Sequence, residues 1–331
     1  MSGRPHGIHA AVLAFGDRTA TLTQVLDALE RSAVDRIAVV ANCVSAASLS
    51  ELSARQSRSP GRYFVRVFTD NLGSAGGYAE ACRLCLDQPD CRWIWLLDDD
   101  NLPEADALPT LIAALERIVA ASEPQALACF RPSLPELNIP DIRLWRMPPR
   151  KGSCAGFNML NLLDQLRPPS PLPDVGDEVP VFWSVYGGML VPREIVEDCG
   201  LPRNDFFLYC DDLEWTSRIS AKGFQIKLLR QAVVRDLQPP WNASGEYSSN
   251  LARRIRELPS IRVYYELRNR NWLSLNRFAG PRWLYVLNRI SYIALIFILC
   301  LRFRRMDRFR LMKRALDDAE AGRLGKTYGN D

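Results

Sequence analysis

The N-terminal part of the chain alternates between short apolar runs and segments with helical spacing, and this alternation restricts the fold more than any other feature. The apolar runs occupy residues 8–15, 36–42, 63–68 and 93–97. Each is short and mostly apolar, which is typical of a strand buried on both faces. Between the first two runs, residues 22–29 carry apolar side chains at helical spacing. Strands that alternate with helices predict an α/β fold with crossover connections.

Composition excludes several classes of protein. The chain has 331 residues, 47% of them hydrophobic, so it can bury one large core or a core with a smaller added unit. Its net charge of +4 is too balanced for a nucleic-acid-binding protein. The nine cysteines are scattered, which favours reduced thiols in the cytosol over a disulfide framework. We therefore expect a cytoplasmic protein, and the first residues, which lack the features of a signal peptide, predict a first strand instead.

Three consecutive acids, Asp98, Asp99 and Asp100, directly follow the apolar run WIWLL. They are therefore expected at the carboxyl end of a strand, the edge of an open α/β sheet where ligands bind. Side chains alternate along an extended segment, so Asp98 and Asp100 point to the same side and can share one hard divalent cation. Such a cation would neutralise a diphosphate. The alternative is an acidic turn that caps the following helix.

A second acid group, Asp211, Asp212 and Glu214, lies in the segment FFLYCDDLEWTSR. The two histidines, His6 and His9, are both near the N-terminus, so acid–base chemistry in the body of the chain falls to carboxylates. Repulsion within an acid cluster raises a carboxylate pKa, which makes the group a suitable proton acceptor for an attacking hydroxyl. The alternative is structural, with the acids stabilised by the dipole at the start of a helix.

Three further segments carry less specific signals. The glycines of NLGSAGG, residues 71–77, suit either a backbone that approaches a ligand closely or tight packing of a helix on a strand. The proline-rich residues 167–180 predict an exposed loop without regular structure. Cys82 and Cys85 form a CxxC pair that lacks the further ligands of a zinc site, so burial on a helix face is favoured.

Seven motifs occur in order along residues 8–275: AVLAFGDR, RIAVVAN, DNLGSAGGYAEA, WIWLLDDDNLP, VYGGMLVPRE, FFLYCDDLEWTSRISAKGF and YYELRNR. Together they resemble family 2 glycosyltransferases, and the pattern is most similar to bacterial rhamnosyltransferases and galactofuranosyltransferases. The resemblance implies a GT-A fold, a three-layer α/β/α sandwich with a C-terminal helical extension. The catalytic domain would occupy residues 1–236, with a donor half up to about residue 130 and an acceptor half after it, and residues 237–331 would form the helical region.

The resemblance also implies the reaction. An inverting enzyme of this kind would move a sugar, with galactofuranose or rhamnose favoured, from a UDP- or dTDP-sugar to a hydroxyl of a glycan or lipid-linked glycan in cell-surface polysaccharide synthesis. Mg or Mn would be the cofactor. Asp212 matches the catalytic base, with Asp211 in reserve, and Asp100 and Asp98 match the metal ligands.

The same resemblance assigns substrate contacts. On the donor side they are Phe15, Gly16, Arg18, Asn42, Asn71, Gly76, Gly77, Asp98 and Asp99. On the acceptor side they are Trp183, Gly187, Gly188, Glu214 and Trp215.

Two positions depart from the family pattern. Ala41 stands where many relatives carry an acid before Asn42, and this affects recognition of the nucleotide base. Asp236 stands where many relatives carry a histidine metal ligand, and an oxygen ligand there suits Mg or Mn.

The C-terminal tail suggests a membrane partner. Residues 283–301 are mostly apolar, but Asn288 and Arg289 leave a run that is short for a membrane span. The basic segment RFRRMDRFRLMKR follows. Such a helix suits an anionic membrane surface, so we expect peripheral association with the inner face of the cell membrane through residues 283–314. The alternative is a core or oligomer helix with a solvated basic end, and a homo-oligomer is compatible with the sequence.

Two other functions share some of these features. A nucleotidyltransferase also carries paired acids on an α/β sheet, but AFGDRTA is a poor triphosphate loop. A non-catalytic sugar-binding domain would retain the fold without the reaction.

Overall fold

The computed structural model of the chain describes residues 6–121, 123–134, 146–164, 176–238 and 250–329. The chain divides into two compact units. The first takes the described parts of Met1–Met147, Asp174–Asn204 and Asp212–Trp241, and the second takes those of Pro148–Pro173, Asp205–Asp211 and Asn242–Asp331.

A nine-stranded sheet forms the centre of the first unit. Its strands are β1 Ile8–Gly16, β2 Arg36–Val44, β3 Tyr63–Phe68, β4 Trp93–Asp98, β5 Asn101–Pro103, β6 Gln125–Phe130, β7 Glu178–Val181, β8 Met189–Pro192 and β9 Gln225–Asp236. They lie in the order β3-β2-β1-β4-β8-β6-β9-β5, and β7 pairs with β9. The β1–β2, β2–β3, β1–β4 and β6–β9 pairs are parallel, whereas β8 is antiparallel to both of its neighbours.

The helices of the described chain are numbered in order. They are α1 Thr19–Arg31, α2 Ala46–Arg58, α3 Gly73–Leu86, α4 Ala107–Ala121, α5 Met159–Asp164, α6 Arg193–Cys199, α7 Asp211–Ala221, α8 Asn250–Arg256, α9 Ser260–Asn276, α10 Arg282–Arg302 and α11 Met306–Glu320. A short 3₁₀ helix spans Asn204–Phe206.

Helices cover both faces of the sheet because its central strands are apolar on both sides. Along β1, Ala10 and Val12 join a core cluster with α1, α2 and α4, whereas Ala11 and Leu13 join a second cluster with α3, α6 and α7. Alternate side chains of one strand thus enter opposite cores. The expected three-layer α/β/α arrangement is confirmed.

The proline-rich segment requires a correction. Residues 167–175 lie outside the described residues, but Glu178–Val181 forms strand β7, antiparallel to β9. The prediction of no regular structure is therefore wrong for this stretch. Among the described strands β7 pairs with β9 alone. Pro180 is tolerated because a strand with one partner has an open side, where the missing N–H donor breaks no ladder hydrogen bond.

The second unit is helical over most of its described length. Its core joins side chains of α9, α10 and α11, among them Tyr265, Ile296 and Leu316. The expected C-terminal helical extension is therefore present.

Helix α3 packs closely on β1. Cys82 and Cys85 are buried on this helix, and all nine cysteines of the chain are free thiols. A Cβ added at Gly77 would lie 2.4 Å from Leu13 Cδ1 and 2.9 Å from Leu13 Cδ2. At Gly77 the glycine-rich segment therefore serves the packing of a helix on a strand, one of the two alternatives that the sequence left open.

We expect Gly77→Ala to destabilise the protein by about 1–3 kcal/mol, because the added methyl group overfills the contact with Leu13. The helix propensity of alanine offsets up to about 1 kcal/mol of this cost. Urea unfolding measures the change. Leu13→Ala opens the same space, so the double variant should lose less stability than the two single changes added together. Strictly additive losses would contradict the close contact.

Candidate functional site

Asp98 and Asp99, at the end of β4, are held by separate elements. The Tyr78 hydroxyl on α3 donates to Asp98 Oδ1 at 2.7 Å. Asp99 accepts the Phe15 backbone N–H at 2.8 Å and pairs with Arg18 at 3.1 Å. The side chain of Asp99 is only 3% exposed. Asp99 therefore fixes the loop after β1 in place.

Asp100 is held more loosely. Arg18 Nη1 lies 3.4 Å from its Oδ2, and Asn101 Nδ2 lies 3.2 Å from its Oδ1. Burial raises the pKa of Asp100 to about 7, and the charges of Asp98 and Asp99 add to the rise. Long contacts and a raised pKa together mean that the negative charge of this carboxylate is incompletely compensated.

Asp236, at the end of β9, lies opposite Asn101 in the antiparallel pairing of β5 with β9. Asn101 Nδ2 donates to Asp236 Oδ1 at 2.9 Å, and Arg131 and Ser133 also donate to the Asp236 carboxylate. The charge of Asp236 contributes to the raised pKa of Asp100. The structure thus brings together two of the acids expected to bind metal.

Four carboxylates form what we call the acid cluster: Asp98, Asp99, Asp100 and Asp236. Two guanidinium groups oppose them. Arg18 contacts Asp99 and Asp100. Burial lowers the pKa of Arg131, but the charges of Asp236 and Asp98 outweigh burial and raise it. With every group ionised, four negative charges face two positive ones, and the excess is two.

A divalent cation would balance the two excess negative charges of the acid cluster. Asp100 has long contacts that a cation could replace, and Asp98 Oδ2 accepts no hydrogen bond from the described residues. Asp236 fits less well because Arg131, Ser133 and Asn101 already use both of its oxygens. Within the described ranges no three His, Cys, Asp or Glu side chains form a ready metal site. Asp100 and Asp98 are therefore the better candidates.

Two residues that donate hydrogen bonds to the carboxylate of Asp236 were not predicted from the sequence. Arg131 and Ser133 directly follow β6, which is parallel to β9. The rule that placed Asp98 at the carboxyl end of a strand applies equally to them, so their position was a usable signal. Their pairing with Asp236 was not visible because it joins residues about a hundred positions apart.

Gly187 has a packing role next to the acid cluster. A Cβ at this position would lie 2.0 Å from Asn101 Oδ1 and 2.5 Å from Arg131 Nη1. Gly188 has φ of +92°, and its Cβ would lie 2.8 Å from that of Cys129. Both glycines therefore make room for neighbours. The ring of Trp183 meets that of Phe182 edge to face, with ring centroids 5.8 Å apart. The acceptor contacts assigned to Trp183, Gly187 and Gly188 stay predictions.

The expected donor-side loop is organised by Asn42. Its Oδ1 accepts the Leu72 backbone N–H at 3.0 Å, and its Nδ2 donates to Asn71 Oδ1 at 3.3 Å. Asn71 Oδ1 also accepts the Gly73 N–H at 2.8 Å. Asn42 is 1% exposed. It therefore shapes the loop from inside.

Other donor-side residues differ in exposure. Phe15 is 44% exposed, and the pairing of β1 with β2 changes register between Phe15 and Gly16. The side chain of Arg18 is 38% exposed. Gly76 is buried, and a Cβ added there would lie 2.9 Å from Leu72 Cβ. Phe15 is thus the most exposed donor-side residue, whereas Gly16, Arg18, Asn71 and Asp98 are partly exposed.

The second acid group begins helix α7. Glu214 is fully buried and pairs with Arg218 at 3.0 Å. Trp215 is also fully buried, and its indole N–H donates to the Gly200 carbonyl at 2.7 Å. The acceptor contacts of these two residues stay predictions.

Asp212 differs from its neighbours in exposure. Asp211 is 2% exposed, whereas Asp212 is partly exposed. Asp212 Oδ1 accepts the Leu213 backbone N–H at 2.8 Å. The accessible carboxylate of the group is therefore Asp212, the residue predicted to be the base.

A series of packed aromatic rings connects Asp98 to α7 within the first unit. The ring of Tyr78, whose hydroxyl contacts Asp98, lies 4.2 Å from the ring of Tyr186, measured between centroids. Tyr186 lies 5.9 Å from Trp215 in turn. The segments that carry the two acid groups are thus joined by continuous packing. That Asp212 and the acid cluster face one cleft stays a prediction.

The segment before α7 has a strained backbone. Three of its non-glycine residues have φ near +60°: Phe207, Tyr209 and Cys210. Such conformations are uncommon and persist only where the surroundings hold them. Asn269 Nδ2, on α9, donates to the carbonyls of residues 206, 208 and 209 at 2.8–2.9 Å. Arg268 Nη2 donates to the carbonyl of residue 206 as well. These two side chains of the YYELRNR motif fix the segment that leads into Asp211 and Asp212.

Comparison with known proteins relates part of the chain to a sequence family. Residues 12–130 match the sequence profile described as Glycosyl transferase family 2. This region is similar to glycosyltransferase family 2. The family 2 region runs from β1 to β6 and includes Asp98, Asp99 and Asp100, and the resemblance inferred from the motifs is confirmed.

Relatives extend the comparison. Galactofuranosyltransferase GlfT1 from Mycobacterium tuberculosis, in strains CDC 1551 / Oshkosh and ATCC 25618 / H37Rv, is 29% identical to this chain over 155 residues. The match covers 46% of this chain and 45% of the relative, so it spans less than half the length of these relatives.

A solved structure, that of GalNAc-T7 with UDP, GalNAc and Mn²⁺, is similar to this chain with a TM-score of 0.55 and 10% identity. It covers 81% of this chain and 48% of that chain. At so low an identity the likeness concerns the fold alone. The expected GT-A fold is confirmed.

We expect Asn269→Ala to loosen the segment before α7, because three carbonyls lose their shared donor. Hydrogen–deuterium exchange should become faster at the amides of residues 206–213. Stability should fall by about 1–3 kcal/mol, the cost of buried groups left without a partner. Asn276→Ala is the matched control, since Asn276 is exposed on the same helix and donates only to the Trp272 carbonyl. Equal exchange in both variants would exclude this role of Asn269.

Proposed function

We propose that this protein is an inverting glycosyltransferase that transfers a sugar from a nucleoside-diphosphate donor to a hydroxyl of a glycan or lipid-linked glycan in cell-surface polysaccharide synthesis. The observation that carries the proposal is the acid cluster with its excess of negative charge at the carboxyl edge of the sheet. Three of its four members, Asp98, Asp99 and Asp100, lie in the region that matches family 2. Galactofuranose from a UDP donor is favoured over rhamnose from dTDP, since the similar GlfT1 proteins are named galactofuranosyltransferases.

The proposed metal is Mg or Mn, bound by Asp100 and Asp98. Two carboxylates that alternate along an extended segment present oxygen ligands to a hard cation. Such an ion would supply positive charge for the donor diphosphate and would balance the excess charge of the cluster. Asp236 is the third proposed ligand, and it would have to give up a hydrogen bond from Arg131, Ser133 or Asn101. The GalNAc-T7 structure, of similar fold, contains UDP and Mn²⁺.

Donor binding is proposed to use the loop after β1 and the loop before α3. Arg18 could turn from the acid cluster toward a diphosphate, since its two ion pairs leave it 38% exposed. Exposed Phe15 would contact the nucleoside. Asn42 and Asn71 would act by holding their loop in shape. Gly16, Gly76, Gly77 and Asp99 complete the proposed donor side.

Asp212 is proposed as the base. Its carboxylate would accept the proton of the acceptor hydroxyl while that oxygen forms a bond to the anomeric carbon. The bond from this carbon to the diphosphate oxygen breaks at the same time, and the electron pair leaves with the nucleoside diphosphate. Attack opposite the leaving group inverts the configuration. Asp211 is the reserve candidate, and Trp183, Gly187, Gly188, Glu214 and Trp215 are proposed to border the acceptor.

The proposed location is the cytoplasm, at the inner face of the cell membrane. A lipid-linked acceptor would be met at that surface. A homo-oligomer remains compatible with the chain.

We expect Asp212→Asn to lower kcat by about 10²–10⁴, because the amide cannot accept the hydroxyl proton. Donor affinity should change by less than about twofold, since the proposed base contacts the acceptor. Turnover with UDP-galactofuranose and a panel of other UDP- and dTDP-sugars measures kcat. Calorimetry measures donor affinity. Asp198→Asn removes an exposed acid of α6 as a control. Donor binding that is equal in the unaltered protein and the Asp212→Asn variant, with no turnover by either, would favour a non-catalytic sugar-binding domain.

We expect Asp100→Ala to weaken metal-dependent donor binding at least about tenfold, because it removes the carboxylate most available to a cation. Calorimetry with UDP-sugars, in Mn²⁺ and after chelation, tests this expectation. Chelation should weaken donor binding to the unaltered protein by a similar factor. Asp106→Ala, at an exposed acid before α4, should behave like the unaltered protein. Donor affinity that survives chelation would count against the metal.

A further inference from the structure

Helix α10 is anchored to the second unit along one face only. The residues on that face are Tyr285, Asn288, Tyr292, Ile296 and Cys300, and all are buried. Asn288 Nδ2 donates to the Gly152 carbonyl at 2.9 Å, and Asn288 Oδ1 accepts the Met159 N–H at 2.9 Å. Next to this face, Arg289 pairs with Asp317 at 2.7 Å and also with Glu320. Polar contacts thus fix the rotation of the helix about its axis.

The opposite face carries exposed apolar side chains alone. We call it the apolar stripe, and it consists of Trp283, Val286, Leu287, Ile290, Ala294, Phe297, Ile298 and Leu301. Steps of three and four residues place all eight on one side of a helix. Trp283 is 68% exposed, Ile290 60% and Ile298 61%. The stripe is about 27 Å long, at 1.5 Å per residue. A continuous exposed apolar surface of this kind marks an interaction site.

The exposed charges at the two ends of the stripe are of one sign, whereas Arg289 beside the anchored face is paired with acids. Residues 282–314 contain nine basic residues and a single acid, Asp307. Asp307 is already paired with Arg305. Arg282 begins the helix, and Arg302 and Arg304 follow its last apolar turn, all three exposed. Basic groups at both ends of an apolar stripe are complementary to a surface with negative head groups over a hydrocarbon layer.

A transmembrane orientation conflicts with these contacts. Among the described residues, α10 is the one helix long and apolar enough to cross a membrane. A crossing helix would place Asn288 and Arg289 at membrane depth together with the carboxylates that Arg289 contacts, Asp317 and Glu320 on α11. Desolvating those charges is costly. An orientation along the surface leaves the anchored face with the protein and buries only the stripe.

Self-association is disfavoured by charge. Two copies that joined their stripes by a twofold axis would align the helices in antiparallel or parallel fashion, according to the direction of the axis. The Arg282 end of one copy would then meet either the Arg302 and Arg304 end of the other copy or its Arg282 end. Like charges brought together weaken such a contact. A membrane has no such penalty and offers the opposite charge.

We propose that α10 lies in the plane of an anionic lipid surface, with the apolar stripe inserted below the head groups and Arg282, Arg302 and Arg304 at their level. The bound surface is thus a defined side of the second unit. The inference goes beyond the proposed transfer reaction and is tested without any measurement of turnover.

Vesicle flotation tests the proposal. The full chain should float with phosphatidylcholine vesicles that contain phosphatidylglycerol, and much less with phosphatidylcholine alone. Ile290→Glu with Ile298→Glu should lower the bound fraction at least about tenfold, because two charges enter the stripe. Val67→Glu with Val119→Glu is the matched control, since those valines are 51% and 59% exposed in the first unit. This control should float like the unaltered protein.

A second pair of variants separates charge from apolar insertion. Arg302→Gln with Arg304→Gln should weaken flotation with anionic vesicles and leave the weak binding to neutral vesicles unchanged. Fluorescence of Trp283, taken as the difference from Trp283→Phe, should shift to the blue on vesicle binding. Sedimentation without lipid should give one mass for all variants. Equal flotation of both glutamate pairs would overturn the proposal, as would a change from dimer to monomer that accounts for the loss.

Discussion

Excess negative charge at the carboxyl edge of the sheet is the constraint around which the first unit is arranged. Carboxylates at close range repel, so a fold that collects them must also supply compensation. Arg18 comes from the loop after β1, and Arg131 comes from the end of β6. Gly187 leaves the space that Arg131 needs. The loop after β1 and the end of β6, which are far apart in the sequence, therefore both contribute positive charge to the same carboxylates.

Most residues that the family resemblance assigns to substrate are engaged inside the protein. Asn42 holds a loop, Gly77 admits the side chain of Leu13, and Trp215 donates to a carbonyl. The most accessible member is Phe15, and Arg18 is partly exposed. The residues assigned to substrate thus include a few side chains that are exposed enough to contact a ligand and a larger number that hold these side chains in position.

The sequence predicted the strands and helices well where the signal is local. Strand β1 is apolar except for His9, and its burial on both faces followed from that pattern. Strand β7 was missed because its proline argues against a strand, and only its place beside β9 makes it one. The contact of Arg131 with Asp236 was missed for a similar reason. It depends on which strands lie side by side, and local spacing carries no information about that order.

The strained segment before α7 has a consequence for where the chain can be cut. Residues 205–211 group with the C-terminal helices, and Asn269 holds three of their carbonyls. A fragment that stopped at the last strand of the sheet would keep Asp212 but lose the side chain that maintains three left-handed residues just ahead of it. The helices after residue 250 thus fix the backbone directly before α7, and a fragment that ends near residue 236 lacks the three hydrogen bonds from Asn269.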